Sequence, residues 1–261
     1  MLHRHFILLL AILIVTPSCI NISQRSLEEH DKKIIENEKL DTITEQEVQY
    51  NIQIDTIPNL YIFYPKYTSI DLVVNKMPSY KDAKVLFCCS ASFTGELLHH
   101  FKHSNIAGNH VSSGMFYRGY SCKPNTGCFV FYENRWKFLL HNYRDELSQA
   151  ARLKGMGFGQ NMIIYDYVTQ PSFRKLSSRF VYRALCEFND RLCIIETSKV
   201  VTYQDFISYL EDLKVRHALY LDMGSGWNYA WYRDNRNNIK HLHACPKPQN
   251  DFRTNWITFK K

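Results

Sequence analysis

Several features that mark common function classes are missing from this chain of 261 residues. No two cysteines show the close two-residue spacing of a zinc site. No internal repeat or low-complexity segment occurs after Tyr50. Lysines and arginines are scattered rather than striped, so a formal net charge of +7 builds no nucleic-acid surface. Gly155, Gly157 and Gly159 lack the preceding strand and following helix of a dinucleotide fingerprint, which excludes a Rossmann site. Ser225 sits in Gly-Ser-Gly rather than in the Gly-x-Ser-x-Gly of a nucleophile elbow, which argues against a serine hydrolase. His99 and His103 are four residues apart, with His100 and His110 near them. No glutamate completes a metalloprotease motif there, and neither a metal nor another cofactor is expected.

A long membrane-spanning run is also missing. Phe6 to Val15 is unbroken and apolar over about ten residues, against the roughly 20 that a spanning helix needs. It follows a short cationic stretch, His3-Arg4-His5, and is the length of a signal-peptide core. Thr16-Pro17-Ser18-Cys19 comes next, with a small residue directly before a cysteine. The pattern resembles the lipobox of bacterial lipoproteins, which implies lipidation of Cys19 after residues 1–18 are removed. Ile20 is not the aspartate associated with inner-membrane retention in some bacteria, so an outer-membrane anchor is expected. An ordinary cleaved signal peptide with an incidental cysteine is the alternative. Residues 19–50 are polar, mixed in charge and without aromatics before Tyr50. They cannot bury enough apolar surface to offset their ordering entropy and read as a tether. Residues 51–261 are aromatic and β-branched, enough for one domain with a real core.

With Cys19 assigned to lipid, seven cysteines remain. Cys122 and Cys128 bracket Lys-Pro-Asn-Thr-Gly, a turn that a disulfide would staple in an oxidising compartment. Cys186 and Cys193 are symmetric about Asn189-Asp190 and would face each other across a hairpin, either bridged or reduced. Cys88, Cys89 and Cys245 read as small buried hydrophobes.

The clearest local structure lies between Phe180 and Trp231. Asn189-Asp190 is a two-residue hairpin turn that sets Arg183 opposite Glu196 and Leu185 opposite Ile194. Thr202 to Asp205 resembles a capping box, followed by the helical stripe Phe206, Ile207, Leu210 and Leu213. His217 to Leu221 is a short apolar strand ending in Asp222-Met223-Gly224-Ser225-Gly226, where glycines let backbone approach a ligand. Asp222 there has two readings, a site carboxylate or a strand-end Asx turn. Upstream, Lys84 to Cys89 enters Ser90-Ala91-Ser92-Phe93, and Gly127 to Tyr132 with Trp136 to Leu140 form another hairpin. Met162 to Tyr167 is a further strand. The expected class is α+β, a mixed, largely antiparallel sheet flanked by a few helices.

These blocks resemble, in the same order, the phosphodiester glycosidase domain family. The family has an Arg-Thr-Ala strand, a hairpin, a helix and then Ala-Leu-x-Leu-Asp-Gly-Gly-x-Ser. Here the matching residues are Arg183-Ala184 and Ala218-Leu219-Tyr220-Leu221-Asp222-Met223-Gly224. Gly159-Gln160-Asn161-Met162 is similar to its Ser-Gly-Pro-Met segment, and Ser90-Ala91-Ser92-Phe93 falls where it has Asn-Gly-Gly-Phe. Met223, Ala184, Asn161 and the Ser-Ala-Ser element depart from the pattern. The resemblance implies hydrolysis of a sugar-1-phosphodiester of N-acetylhexosamine type on a phosphorylated glycan. It makes Asp222, Arg183 and Glu196 the catalytic candidates, converging in one anion-friendly cleft. Asp222 would be the reacting carboxylate and Arg183 would grip phosphate through its forked donors. Glu196 would orient Arg183 or act as second carboxylate, and the alternative for that pair is a cross-strand ion pair. Gly224, Ser225, Gly226 and Ser92 are the substrate-binding candidates. A non-catalytic glycan-binding or envelope-associated lipoprotein on the same fold is the rival function. The partners expected are the phosphorylated glycan and, through Cys19, a membrane, with no nucleic acid. Trp227, Tyr229, Trp231 and Tyr232 would stack on sugar rings or else fill the core.

Overall fold

Two short turns set much of the topology. A computed structural model describes residues 50–94, 106–119, 126–224, 228–243 and 254–261, and Gln49–Lys261 forms one compact unit. Asn189 and Asp190 take positive φ of 51° and 55°, the left-handed pair whose twist suits a two-residue hairpin. The strands Arg183–Phe188 and Arg191–Thr197 pair as expected, with Arg183 opposite Glu196 and Cys186 opposite Cys193. Glu133 and Asn134, at φ 49° and 58°, make the same turn between Gly127–Tyr132 and Arg135–Leu140. Arg135 joins the strand, so this loop is one residue shorter than the sequence suggests.

The expected α+β class is corrected by the element count. Among the described residues there are nineteen strands and only two helices, Arg144–Arg152 and Tyr203–Asp212. The protein is β-rich, and every described strand pair is antiparallel. A seven-stranded sheet runs in the order Ile52–Ile57, Leu60–Pro65, Arg191–Thr197, Arg183–Phe188, His217–Tyr220, Met162–Tyr165, Val168–Thr169. A second sheet of five has Val85–Ser90 at its centre, between Ala230–Arg233 and Asn255–Lys260. The third, also of five, sets Met156–Gln160 between His110–Ser112 and Gly127–Tyr132. Arg179–Phe180 and Val201–Thr202 form a separate two-stranded ribbon.

Side-chain alternation explains why so few helices suffice. Successive residues of a strand face opposite sides, and here one side of every large sheet feeds a shared core. Phe63, Leu185, Ile194 and Leu219 reach it from the first sheet, Phe87 and Ile257 from the second, Phe129 and Phe158 from the third. The outer faces have separate covers. Helix Tyr203–Asp212 covers the first sheet through Phe206, Ile207 and Leu210, against Ala184, Cys186 and Ile195. Helix Arg144–Arg152 covers the third through Leu147 and Ala150, against Cys128 and Val130. Helices therefore pack on outer faces, while the centre is sheet against sheet. The capping box is present at Thr202: its hydroxyl accepts from the Asp205 N–H, and Asp205 accepts from the Thr202 N–H. Such a cap stabilises a helix by about 1 kcal/mol.

The cysteines follow the same alternation. Cys88, Cys89, Cys128, Cys186 and Cys193 are buried free thiols. The expected Cys122–Cys128 staple has no support at its described half. Strand alternation turns Cys128 under the Arg144–Arg152 helix, where it packs as a small apolar group. Cys122, Cys245, the lipid-anchor candidate Cys19 and the tether lie outside the described residues.

Gly155 and Gly157 have a packing role. A Cβ on Gly155 would stand 2.2 Å from the Phe131 carbonyl oxygen, and one on Gly157 2.7 Å from both Leu147 and Val130 side-chain atoms. These glycines let Met156–Gln160 press against Gly127–Tyr132 and the helix above it. Gly155→Ala is expected to destabilise the domain by about 1–3 kcal/mol, because backbone must move to admit it. Urea denaturation measures this, and an unchanged midpoint would contradict the close approach.

Candidate functional site

Arg183 and Glu196 come together as the hairpin register requires, and they do so out of water. Arg183 is fully buried and Glu196 is 3% exposed. Arg183 Nε donates to Glu196 Oε2 at 2.6 Å, and its Nη2 lies 2.5 Å from the same oxygen. Nη2 also donates to the Asn228 carbonyl at 3.1 Å. The other carboxylate oxygen, Oε1, lies 3.0 Å from His243 Nε2. Burial would raise the Glu196 pKa, but Arg183 and His243 together hold the carboxyl below its usual range. Both Glu196 oxygens are engaged, so it orients Arg183 and His243 rather than offering a free second carboxylate. Arg183 Nη1 has no hydrogen-bond partner among the described residues.

Asp222 occupies a different side of the same sheet. The Leu221 N–H donates to the Arg183 carbonyl at 3.0 Å, so Asp222 is one residue past Arg183's neighbour. Leu219 and Leu221 belong to the shared core with Leu185, whereas Tyr220 belongs to the outer cluster. Asp222 follows the parity of Tyr220, and the two interact electrostatically. The three catalytic candidates thus do not form one group: Arg183 and Glu196 face the shared core, and Asp222 stands with Tyr220. Alternation of side chains in an extended strand is the physical reason.

Asp222 is held by its backbone at a junction of all three large sheets. Its N–H donates to the Ala91 carbonyl at 3.0 Å, and the Ala91 N–H donates to the Asn255 carbonyl at 3.1 Å. The Asn255 side chain clasps Ser92 twice, accepting from its N–H at 2.7 Å and donating to its carbonyl at 3.0 Å. The Ser92 hydroxyl donates to the Gly159 carbonyl of the third sheet at 2.7 Å. Ser92, a substrate-binding candidate, is fully buried and ties sheets together.

Asp222 is 2% exposed. One oxygen accepts from the Gly224 N–H at 3.0 Å, an Asx turn, so Gly224 contributes its backbone to this loop. The other, Oδ2, is buried with no hydrogen-bond partner among the described residues. Burial pushes the Asp222 pKa up to about 6, while the Gly224 N–H and the nearby Arg174 cation pull it the other way. The substrate-binding candidates Ser225 and Gly226, and Trp227, lie outside the described residues.

Arg174 is the residue that sequence reasoning missed. A lone arginine in a loop carries no periodicity and no motif, and only the fold brings it to Asp222. Of the other candidates, Tyr229 and Trp231 are buried in the core cluster covering the second sheet. His99, His100 and His103 lie outside the described residues. Among the described residues no three His, Cys, Asp or Glu side chains group together as metal ligands.

Compared by sequence, the chain matches no protein-family profile and no curated protein. By structure it is similar to the zebrafish N-acetylglucosamine-1-phosphodiester alpha-N-acetylglucosaminidase catalytic domain, auto-inhibited by its pro-peptide. That similarity has a TM-score of 0.55 at 13% identity and covers 82% of this chain and 83% of that one. It is also similar to a hypothetical protein from Synechocystis, with a TM-score of 0.51 at 9% identity, covering 81% of this chain and 62% of that one. The fold is phosphodiester glycosidase-like.

Two substitutions test the site's electrostatics. Arg183→Met leaves Glu196 buried beside His243 alone and is expected to cost about 3–5 kcal/mol in urea denaturation. Adding Glu196→Leu should cost less than the sum of the single changes, and strict additivity would contradict the pair. Asp222 titrates higher in the folded chain than in the unfolded one, so folding loses stability as pH rises from about 4 to about 6. Asp222→Asn removes that loss. Its melting temperature should exceed the native one increasingly across that window and by a constant amount above it. Parallel curves for the two proteins would show that the carboxyl is not desolvated.

Proposed function

We propose that the domain hydrolyses a sugar-1-phosphodiester of N-acetylhexosamine type on a glycan, with Asp222 as the reacting carboxyl. One observation carries this: a buried strand-end acid with an oxygen that has no hydrogen-bond partner among the described residues and a pKa of about 6, on a phosphodiester glycosidase-like fold. A carboxyl with that pKa changes protonation state near neutrality, where general acid–base chemistry is most efficient. A phosphate monoester is a good leaving group, so departure from the anomeric carbon needs little proton donation. The remaining tasks are to activate a nucleophile or stabilise an oxocarbenium-like centre, both suited to one ionised carboxylate. Arg183, Glu196 and His243 act on the opposite side of the strand, fixing the edge from which Asp222 projects. Lipid attachment at Cys19 would place this chemistry outside the cytoplasm at a membrane, with residues 19–50 as tether and the outer membrane as the preferred location.

The second reading is a non-catalytic glycan-binding or envelope-associated lipoprotein. The Asx turn that Asp222 closes onto Gly224 favours it, because that bond gives the carboxyl a purely structural use.

Incubation with N-acetylhexosamine-1-phosphodiesters separates the two. Native protein should release the sugar, and Asp222→Asn should be slower by about a hundredfold or more. The native rate should rise with pH through an apparent pKa near that of Asp222 and level off above it, since the ionised form reacts. Equal turnover by both proteins would remove Asp222 from the chemistry, and no turnover by either would favour the binding reading.

A further inference from the structure

Arg174 is a cation with an aromatic setting and, among the described residues, no carboxylate salt bridge. Its guanidinium carbon lies 5.3 Å from the Phe173 ring centroid, 5.1 Å from Phe180, 5.8 Å from Tyr182 and 5.5 Å from Tyr220. The rings hold the guanidinium by cation–π attraction without neutralising its charge, an interaction worth about 0.5–2 kcal/mol per contact depending on desolvation. One donor, Nη2, reaches the Tyr220 hydroxyl at 3.3 Å. The Tyr182 side chain is a second hydrogen-bond partner; an arginine has five N–H donors in a planar fork, so among the described residues donors remain for another acceptor. The side chain is half-buried, which lets solvent-borne groups approach it. Lys175 and Arg179 stand exposed on the same segment and add to the positive field. The neighbouring acid is Asp222, whose carboxyl senses this cation.

A guanidinium fixed in place, without a salt bridge among the described residues and with donors left over, matches the geometry of a phosphoryl group. We propose that Arg174, framed by Phe173, Phe180, Tyr182 and Tyr220, is an anion subsite that holds the phosphoryl group of a phosphodiester. This rests on the reading of Asp222 as the reacting carboxyl, since the subsite lies within electrostatic reach of it. The task that the sequence pattern would give to Arg183 passes to Arg174, because Arg183 is enclosed and committed to Glu196.

The test measures binding rather than turnover. Dimethyl phosphate, a diester monoanion, is titrated into the full chain by calorimetry, with inorganic phosphate as a second probe and neutral trimethyl phosphate as control. Native protein should bind dimethyl phosphate saturably and trimethyl phosphate not at all. Arg174→Gln should weaken that binding at least tenfold, and Arg174→Lys should restore only part of it, because an ammonium lacks the planar fork. Asp222→Asn should bind as well as native protein or better. Tighter binding of inorganic phosphate than of the diester would overturn the assignment to a diester. Retention of native affinity in Arg174→Gln, or failure of the native protein to bind, would overturn the subsite itself. Arg174-dependent binding without hydrolysis of any sugar phosphodiester would leave the subsite standing and remove the hydrolytic reading. Since Arg174 is half-exposed, its variants should fold, and near-ultraviolet circular dichroism of the adjacent tyrosines verifies that.

Discussion

A carboxyl can be kept dry only where its own backbone is held firmly enough that it cannot swing out to water. At Asp222 that hold is a short series of backbone and amide bonds through Ala91, Ser92 and Asn255, reaching a third sheet at Gly159. Remove the clasp and each of the three sheets would end in a separate loose loop. With it, the sheet ends form one rigid corner, and desolvation of the acid follows. The raised pKa is thus a consequence of how three sheets are joined rather than of any charged neighbour, since the nearest cation works in the opposite direction.

Two guanidiniums near this corner have different roles, and burial separates them. Arg183 is enclosed, so it is tolerable only because Glu196 pairs its charge and the Asn228 carbonyl accepts from Nη2. Its energy is spent on register and on the edge of the central strands. Arg174 keeps part of its surface and most of its donors, and aromatic faces take the place of a carboxylate. A site that must receive an anion needs the second kind of arginine, because a cation already neutralised in a salt bridge has little field left to offer. The same division explains why Glu196, bonded at both oxygens, is a poor candidate for chemistry, whereas Asp222 retains an oxygen to use.

The local part of this structure was legible in the sequence. Asn189-Asp190 specified a two-residue turn, and the turn alone fixed Arg183 opposite Glu196 and Cys186 opposite Cys193. Thr202 and Asp205 announced the helix cap, and Gly224 announced a tight loop after Asp222. Long-range partition was not legible. Alternation says that a strand has two faces but not what covers each, so the expected α+β sheet with flanking helices became three antiparallel sheets around a shared core. Gly155 to Gly159 was rejected as a nucleotide loop for sound reasons, yet its use as a strand in close contact depends on Phe131 and Tyr132, distant in sequence. The family resemblance implied that Arg183 and Asp222 converge, but parity puts their side chains on opposite sides. Arg174 left no local signal, since what distinguishes it is a set of aromatic rings that only the fold assembles, Tyr220 among them at 46 residues along the chain.

The most direct measurement is the titration of the Asp222 side-chain carboxyl by carbon-13 nuclear magnetic resonance, with Asp222→Asn used to assign the signal. Desolvation at the three-sheet corner requires a midpoint of about 6. A midpoint at the ordinary aspartate value near 3.8 would mean that water reaches the carboxyl, and the account of a dry, reactive acid would be contradicted.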